Sequence, residues 1–179
     1  MTTPSEKDAA SITAMGSNII QVSGDLSVTH NIVMQQPHAE VASAAKLSRH
    51  ERGQLTAWAE EVVTAEQGNV TTKIVRGALN TYLGVKSVDE MTSDMVQRAA
   101  VFLNGWRNCA FGRELSSDAM VAQVLRIWTI VPHLKTTTVE FTRMNFNREV
   151  LRSMTVWELR STLAFAMAKW QSYWEARNA

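Results

Sequence analysis

The histidines, the single cysteine and the paired acidic residues are the side chains with which this 179-residue chain could do chemistry. Metal-binding helices typically place two histidines at i and i+3 or i+4, and zinc sites often add cysteines. No two of the histidines have this spacing, and none has a cysteine beside it: His30, His38, His50 and His133. We therefore expect neither a bound metal nor another cofactor.

The cysteine and the acidic pairs do not form a catalytic pattern either. Cys109 has Arg107 and Arg113 nearby, which could lower the pKa of its thiol, but no base that would activate it is apparent. Glu60–Glu61 and Asp89–Glu90 are adjacent pairs, and adjacent residues point in different directions on a helix. A shared acid/base role is therefore not indicated. We expect a protein that is not an enzyme.

The composition indicates a soluble, cytoplasmic protein. One cysteine excludes an intramolecular disulfide and fits a reducing compartment. No apolar run approaches the roughly 18 residues of a membrane span. The first residues, MTTPSEKDAAS, lack the basic and apolar regions of a signal peptide. We therefore expect no association with a membrane.

The N-terminal part predicts a β segment that assembles the protein. Residues 1–17 are small and polar and are predicted to be disordered. In residues 18–36 alternate positions are apolar, with a turn at Gly24–Asp25, as in a hairpin with one buried face. A lone hairpin is marginal in water, so either the helices or other subunits must cover it. We favour a homo-oligomer built through the apolar residues of this segment: Ile20, Val22, Leu26, Val28 and Ile32.

After a linker at residues 37–46, residues 47–179 predict a compact helical domain, so the fold class is mainly α. Capping boxes mark three helix starts: Ser48 with Glu51, Ser87 with Glu90, and Thr155 with Glu158. Another helix ends before Gly84, where a left-handed cap is expected, and one runs from Ser116 or Ser117 to Pro132. The stretch TTTVEFTRMNF, from Thr136, predicts a short extended piece or an irregular loop. One helical turn could follow between Asn147 and Met154.

Residues 71–107 form a helical hairpin that could bind DNA. Its basic residues Lys73, Arg76 and Lys86 could contact phosphates. The second helix of the hairpin opens with acids, which would repel phosphates: Asp89, Glu90 and Asp94. The C-terminal third offers a second basic surface from Arg126 onward, although the net charge of the chain is only +1.

The tryptophans divide into core residues and one candidate for binding a partner. Four of them fall on apolar helix faces and are predicted to be core: Trp58, Trp106, Trp128 and Trp170. The last helix is predicted to continue nearly to the C-terminus through these apolar residues: Leu159, Leu163, Phe165, Met167, Trp170 and Trp174. Trp174, with Tyr173 beside it near the chain end, is predicted to be exposed and to anchor a protein partner.

Two phrases, LSRHERGQLTAWAEEVV and IVRGALNTYLGVKSVDEMTSDMVQRAAVFLNGW, resemble the C-terminal helical domain of phage antirepressor-type regulatory proteins. The corresponding residues are Leu47, Arg52, Leu55, Leu83-Gly84-Val85, Ser87, Met91-Thr92, Ala99, Leu103 and Trp106. The resemblance covers residues 47–107. It departs from the family in two ways, because the short β segment stands where those proteins have a DNA-binding domain and the extension at 108–179 has no recognised counterpart.

The resemblance implies a phage or prophage regulatory protein that works in the cytoplasm of a bacterial host. We expect it to act by binding a host or phage regulatory protein, as antirepressors do. The alternative is a DNA-binding transcriptional regulator that uses the hairpin at 71–107 or the basic C-terminal third. A structural virion or assembly protein is a third, weaker hypothesis.

Overall fold

A computed structural model describes residues 45–111 and 115–179, and this part of the chain is mainly helical, as predicted. Its six α-helices are α1 (Arg49–Ala65), α2 (Thr72–Leu83), α3 (Val96–Phe111), α4 (Ser117–Ile130), α5 (His133–Phe146) and α6 (Val156–Asn178). Short 3₁₀ turns lie at Val88–Glu90, Ser93–Met95 and Leu151–Ser153. None of these helices is both long and apolar enough to cross a bilayer. The predicted disordered N-terminus, the β segment and the linker up to residue 44 lie outside the described residues.

Two of the three predicted capping boxes are confirmed. At the start of α1, the Ser48 hydroxyl accepts from the Glu51 N–H at 3.2 Å, and the Glu51 carboxylate accepts from the Ser48 N–H at 2.7 Å. Thr155 and Glu158 form the same arrangement at the start of α6. The left-handed cap is also confirmed, since Gly84 has a φ of 77° and its N–H donates to the Asn80 carbonyl. These local patterns stabilise helix ends whatever surrounds them.

The prediction of a third capping box, at Ser87, was wrong. Its side chain caps nothing, and the Glu90 carboxylate accepts from the Lys86 N–H at 2.8 Å instead. The α3 helix starts only at Val96 because the chain between the two 3₁₀ turns is extended. There Met91 is buried in the core, and Thr92 forms an isolated antiparallel bridge with Lys46. Tertiary contacts thus override the local start signal.

The prediction of an extended piece or irregular loop from Thr136 was also wrong, because this stretch lies inside α5. Threonine disfavours helices partly because its hydroxyl competes for backbone groups. Here the Thr138 hydroxyl donates to the Leu134 carbonyl at 2.6 Å, which satisfies the hydroxyl within the helix itself. Leu134, Thr138, Phe141 and Thr142 can therefore form one buried helix face. The turn expected before Met154 is present as the 3₁₀ turn.

The sixth helix connects the two clusters that make up the core. One cluster is built mainly by α1, α2 and α3, and the other mainly by α4 and α6, with Leu134 of α5 and Leu151 of the last 3₁₀ turn. Phe165 of α6 packs in the first cluster and Leu163 in the second. Between residues 158 and 166 every residue except the half-buried Arg160 is buried, so this part of α6 is largely enclosed by the core. The α6 helix therefore contributes side chains to both clusters of the core.

A buried carboxylate joins α1, α3 and α6 inside the first cluster. The Glu66 side chain, at the C-terminal cap of α1, is fully buried. One of its oxygens accepts from the Trp106 indole N–H at 2.9 Å. The other accepts from the Arg160 guanidinium at 2.8 Å. A buried carboxylate is tolerated only when it is paired and hydrogen-bonded, and here both oxygens have a donor.

We predict opposite outcomes for two serines with the same sequence signature. Ser48→Ala should lower the free energy of unfolding by about 1 kcal/mol, since it removes a helix cap. Ser87→Ala is the matched control and should change stability little, because Ser87 caps nothing. Urea denaturation of both variants checks this. An equal loss in the two variants would contradict the cap assignment.

Trp106→Ala should lower the free energy of unfolding by about 3–5 kcal/mol, because it opens a cavity and removes one donor from the Glu66 carboxylate. Trp174→Ala is the control, since that side chain is partly exposed, and it should cost less than about 1 kcal/mol. Denaturant titrations of the two variants provide the comparison. A near-wild-type midpoint for Trp106→Ala would show that this side chain is not core.

Candidate protein-binding groove

A long groove of about 1220 Å³ lies on the surface along the second half of α6. The α6 helix packs against both α3 and α4, whereas α3 and α4 barely contact each other. The exposed side of α6 therefore forms a floor between two helical walls. The walls include Val101, Gly105 and Cys109 from α3 and Arg126, Ile127 and Ile130 from α4. We call this feature the α6 groove.

Exposed apolar side chains are concentrated in the α6 groove. Met167 and Trp174 of the floor are 48% and 38% exposed, and Ile130 of the α4 wall is 46% exposed. Leu115, just before α4, is 41% exposed and also lines the groove. Ten large apolar residues are exposed in the described part of the chain, and four of them meet here. Contiguous exposed apolar surface of this kind is typical of interaction sites.

The groove carries one charge of each sign. Arg126 lies on the α4 wall and Glu175 near the end of the floor. Neither forms an ion pair with another described residue. The Glu175 carboxylate accepts a hydrogen bond from the Gln171 amide at 2.7 Å. The two charges cancel, so the groove has no net charge that would attract a polyanion.

The two predicted partner-binding residues occupy different environments. Trp174 lines the groove, and the Arg177 guanidinium lies 5.7 Å from its ring centre. Tyr173 is half-buried against the second core cluster, with its ring 5.4 Å from that of His133. Its hydroxyl accepts from Arg177 at 3.0 Å. Tyr173 thus helps to hold the end of α6, while Trp174 is available to a ligand.

Cys109 lies in the α3 wall, where its thiol is partly buried. Burial raises the pKa of Cys109; the nearby Arg160 guanidinium opposes this increase, and the Glu66 carboxylate adds to it. The sequence interpretation had Arg107 lowering this pKa, but the Arg107 guanidinium pairs with Glu61. A thiol with a raised pKa stays protonated at neutral pH and is a poor nucleophile. Cys109 therefore contributes apolar surface to the wall.

The three basic residues of the DNA-binding alternative are exposed, but the second helix of their hairpin is packed inside the domain. Lys73, Arg76 and Lys86 are all exposed, and Arg76 donates to the Thr56 hydroxyl at 3.1 Å. The Glu90 carboxylate binds the Lys86 backbone, so a negative charge adjoins this surface. The second helix of the hairpin, α3, lies between α1 and α6 and contacts both. A helix enclosed in this way presents little surface to a DNA groove.

Several basic side chains of the C-terminal third contact other residues of the domain. Arg160 pairs with Glu66, and the Lys169 ammonium donates to the Tyr82 carbonyl at 3.1 Å. Burial lowers the pKa of Lys169, and the charge of Arg98 lowers it further. With Arg177 bound to Tyr173, three of the cations in this region serve internal contacts.

Comparisons of the chain with protein-family models, with curated proteins and with solved structures found no match. Within residues 45–111 and 115–179, no three His, Cys, Asp or Glu side chains are grouped so that they could hold a metal ion. We therefore base the proposed function on the exposed apolar residues of the α6 groove.

Sequence reasoning found Trp174 but missed the other exposed apolar residues of the groove. Met167 was named only as one of the apolar residues of the last helix, although its side chain is about half exposed. One signal was available: Met167 and Trp174 are seven residues apart and share a helix face with Gln171 between them. The wall residues Leu115 and Ile130 carried no such signal, because only the packing of α4 against α6 brings them to the groove.

Proposed function

We propose that this chain is a phage or prophage regulatory protein that acts by binding another protein, in the manner of an antirepressor. The observation that carries the proposal is the concentration of Leu115, Ile130, Met167 and Trp174 in one concave apolar surface. The resemblance of residues 47–107 to the antirepressor domain supplies the regulatory context.

The energetics of protein recognition favour this surface. A few buried residues usually provide most of the binding energy at an interface, and tryptophan is prominent among them. The indole of Trp174 lies in the groove, and the adaptable side chain of Met167 can adjust to a partner. The cancelling charges of Arg126 and Glu175 make nucleic acid a poor ligand for the groove.

The proposal gives the C-terminal extension a role. Val101 and Gly105 of the α3 wall belong to the antirepressor-like part, whereas Cys109, the α4 wall and the α6 floor belong to the extension. The extension therefore completes a binding surface that residues 47–107 could not form alone. We further propose that the β segment at 18–36 assembles several copies, which would present several grooves to a partner and raise its apparent affinity.

A pull-down from bacterial host cells with the full chain as bait, with and without nuclease, tests the proposal. The wild type should recover a nuclease-resistant, stoichiometric regulatory protein. Met167→Glu should lose it, because the substitution places a charge in the apolar floor. Met144→Glu is the matched control: Met144 is an exposed methionine outside the groove, and this variant should retain the partner.

Recovery of nucleic acid alone would contradict the proposal and favour DNA binding through Lys73, Arg76 and Lys86. DNA binding would also weaken steeply with added salt, by about one unit in the log–log slope for each phosphate contacted. Equal loss of a protein partner in both methionine variants would show that binding takes place elsewhere on the chain.

A further inference from the structure

We propose that the α6 groove receives one amphipathic α-helix of the partner, with an acidic residue facing Arg126 on the α4 wall and a basic residue facing Glu175 near the end of the floor. The inference rests on the proposed function and adds the chemical class of the ligand. It follows from the dimensions of the groove, the nature of its walls and the position of its charges.

The groove has the dimensions of a short helix. The floor extends from Leu163 to Asn178, which corresponds to about 22 Å along α6. Since an α-helix rises 1.5 Å per residue, a bound helix of roughly 15 residues would cover this length. A small molecule would leave much of this surface uncovered.

The walls favour a helix over an extended peptide. An extended segment gains most of its affinity by adding to the edge of a sheet, where backbone groups are free to pair. The floor and walls of the α6 groove come mainly from helices, whose backbone groups are already paired within each helix. A bound helix satisfies its own backbone and needs only side-chain contacts, so its desolvation costs less here.

The apolar residues are spaced to contact one face of such a helix. Met167 and Trp174 lie two helical turns apart on the floor, and Ile130 stands on the α4 wall. A partner helix with apolar residues at i, i+3 or i+4, and i+7 would reach all three along one stripe.

The charges define the orientation of the bound helix. Arg126 is on the α4 wall and Glu175 is toward the C-terminal end of the floor, so they face different parts of a ligand. Among the described residues neither has an ion-pair partner of its own. A helix with an acidic flank and a basic residue near one end would satisfy both, whereas the reversed orientation would leave both unpaired.

A second copy of the chain is a poorer candidate for the ligand. Outside the groove, the exposed large apolar residues of the described helices occur singly: Phe111, Leu125, Met144 and Val156. Outside the groove itself, no helix in the described ranges carries an exposed apolar stripe that could enter the groove of another copy. Since the described helices offer no such ligand, we assign the groove to a different protein.

Selection of peptides against the full chain tests the inference without a cellular partner. The probe is a yeast-displayed library of single-helix sequences, followed by fluorescence anisotropy of a labelled, helix-stapled peptide. We expect enriched sequences with an i, i+3/i+4, i+7 apolar stripe and an acidic flank. The selected peptide should bind Met167→Glu about 30-fold more weakly, the factor typical of losing a hot-spot contact. Its affinity for Met144→Glu should be unchanged.

A charge exchange tests the assigned orientation. Arg126→Glu should weaken the selected peptide about fivefold, and changing the acidic residue of the peptide to lysine should restore the affinity. Lys135→Glu is the control, since Lys135 is an exposed cation of α5 outside the groove, and it should have little effect. Circular dichroism of every variant establishes that it is folded.

Three results would overturn the inference. The enriched peptides could lack helical periodicity, the selected peptide could bind Met167→Glu as tightly as the wild type, or the selection could yield only self-association of the chain. Each is distinct from failure of the proposed function. A pull-down partner lost with Met167→Glu while no helical peptide binds would mean that the groove binds proteins but not as a helix. A helical peptide that binds in the groove while the cells yield only nucleic acid would retain the ligand class and refute the regulatory partner.

Discussion

The buried carboxylate of Glu66 is the contact on which the arrangement of α1, α3 and α6 depends. Removing a carboxylate from water is costly unless strong donors replace the water. Trp106 and Arg160 supply one donor to each oxygen, from two different helices. Because both donors reach Glu66 only when α3 and α6 each pack against the end of α1, this interaction favours one arrangement of the three helices over other packings with similar apolar contacts.

The same arrangement creates the groove. Trp106 lies on the buried side of α3, while Gly105 and Cys109 of the same turns form the wall. On α6, Arg160 lies about one turn before Leu163, where the floor of the groove begins. The helices that contact Glu66 through Trp106 and Arg160 are therefore the same two that form the α3 wall and the floor.

Sequence patterns predicted the features that depend on neighbouring residues in the chain. The capping boxes at Ser48 and Thr155 and the left-handed Gly84 were found because their partners lie within one turn. Ser87 has the same local signature, yet the burial of Met91 and the bridge between Lys46 and Thr92 hold the chain extended there. The threonines of α5 were misinterpreted because their hydroxyls bond to the preceding turn, which lets Thr138 lie buried in a helix.

The candidate site depended on longer-range packing, and sequence reasoning found only part of it. Trp174 was identified because it lies near the chain end, beside Tyr173. Met167 was not singled out, because an apolar residue on a mainly buried helix gives no sign of which side its neighbours leave open. No sequence pattern indicated that Glu66 is fully buried, since its two donors are 40 and 94 residues away along the chain.

The most direct test of the account is to observe the groove while the partner binds. The chain contains nine methionines, whose methyl groups can be labelled with ¹³C and followed by NMR during titration with the captured regulatory protein. We predict that the Met167 methyl resonance shifts or broadens on binding, while that of Met144, on the exposed face of α5, stays in place. Perturbation of Met144 with an unchanged Met167 would contradict the claim that the α6 groove is the binding surface.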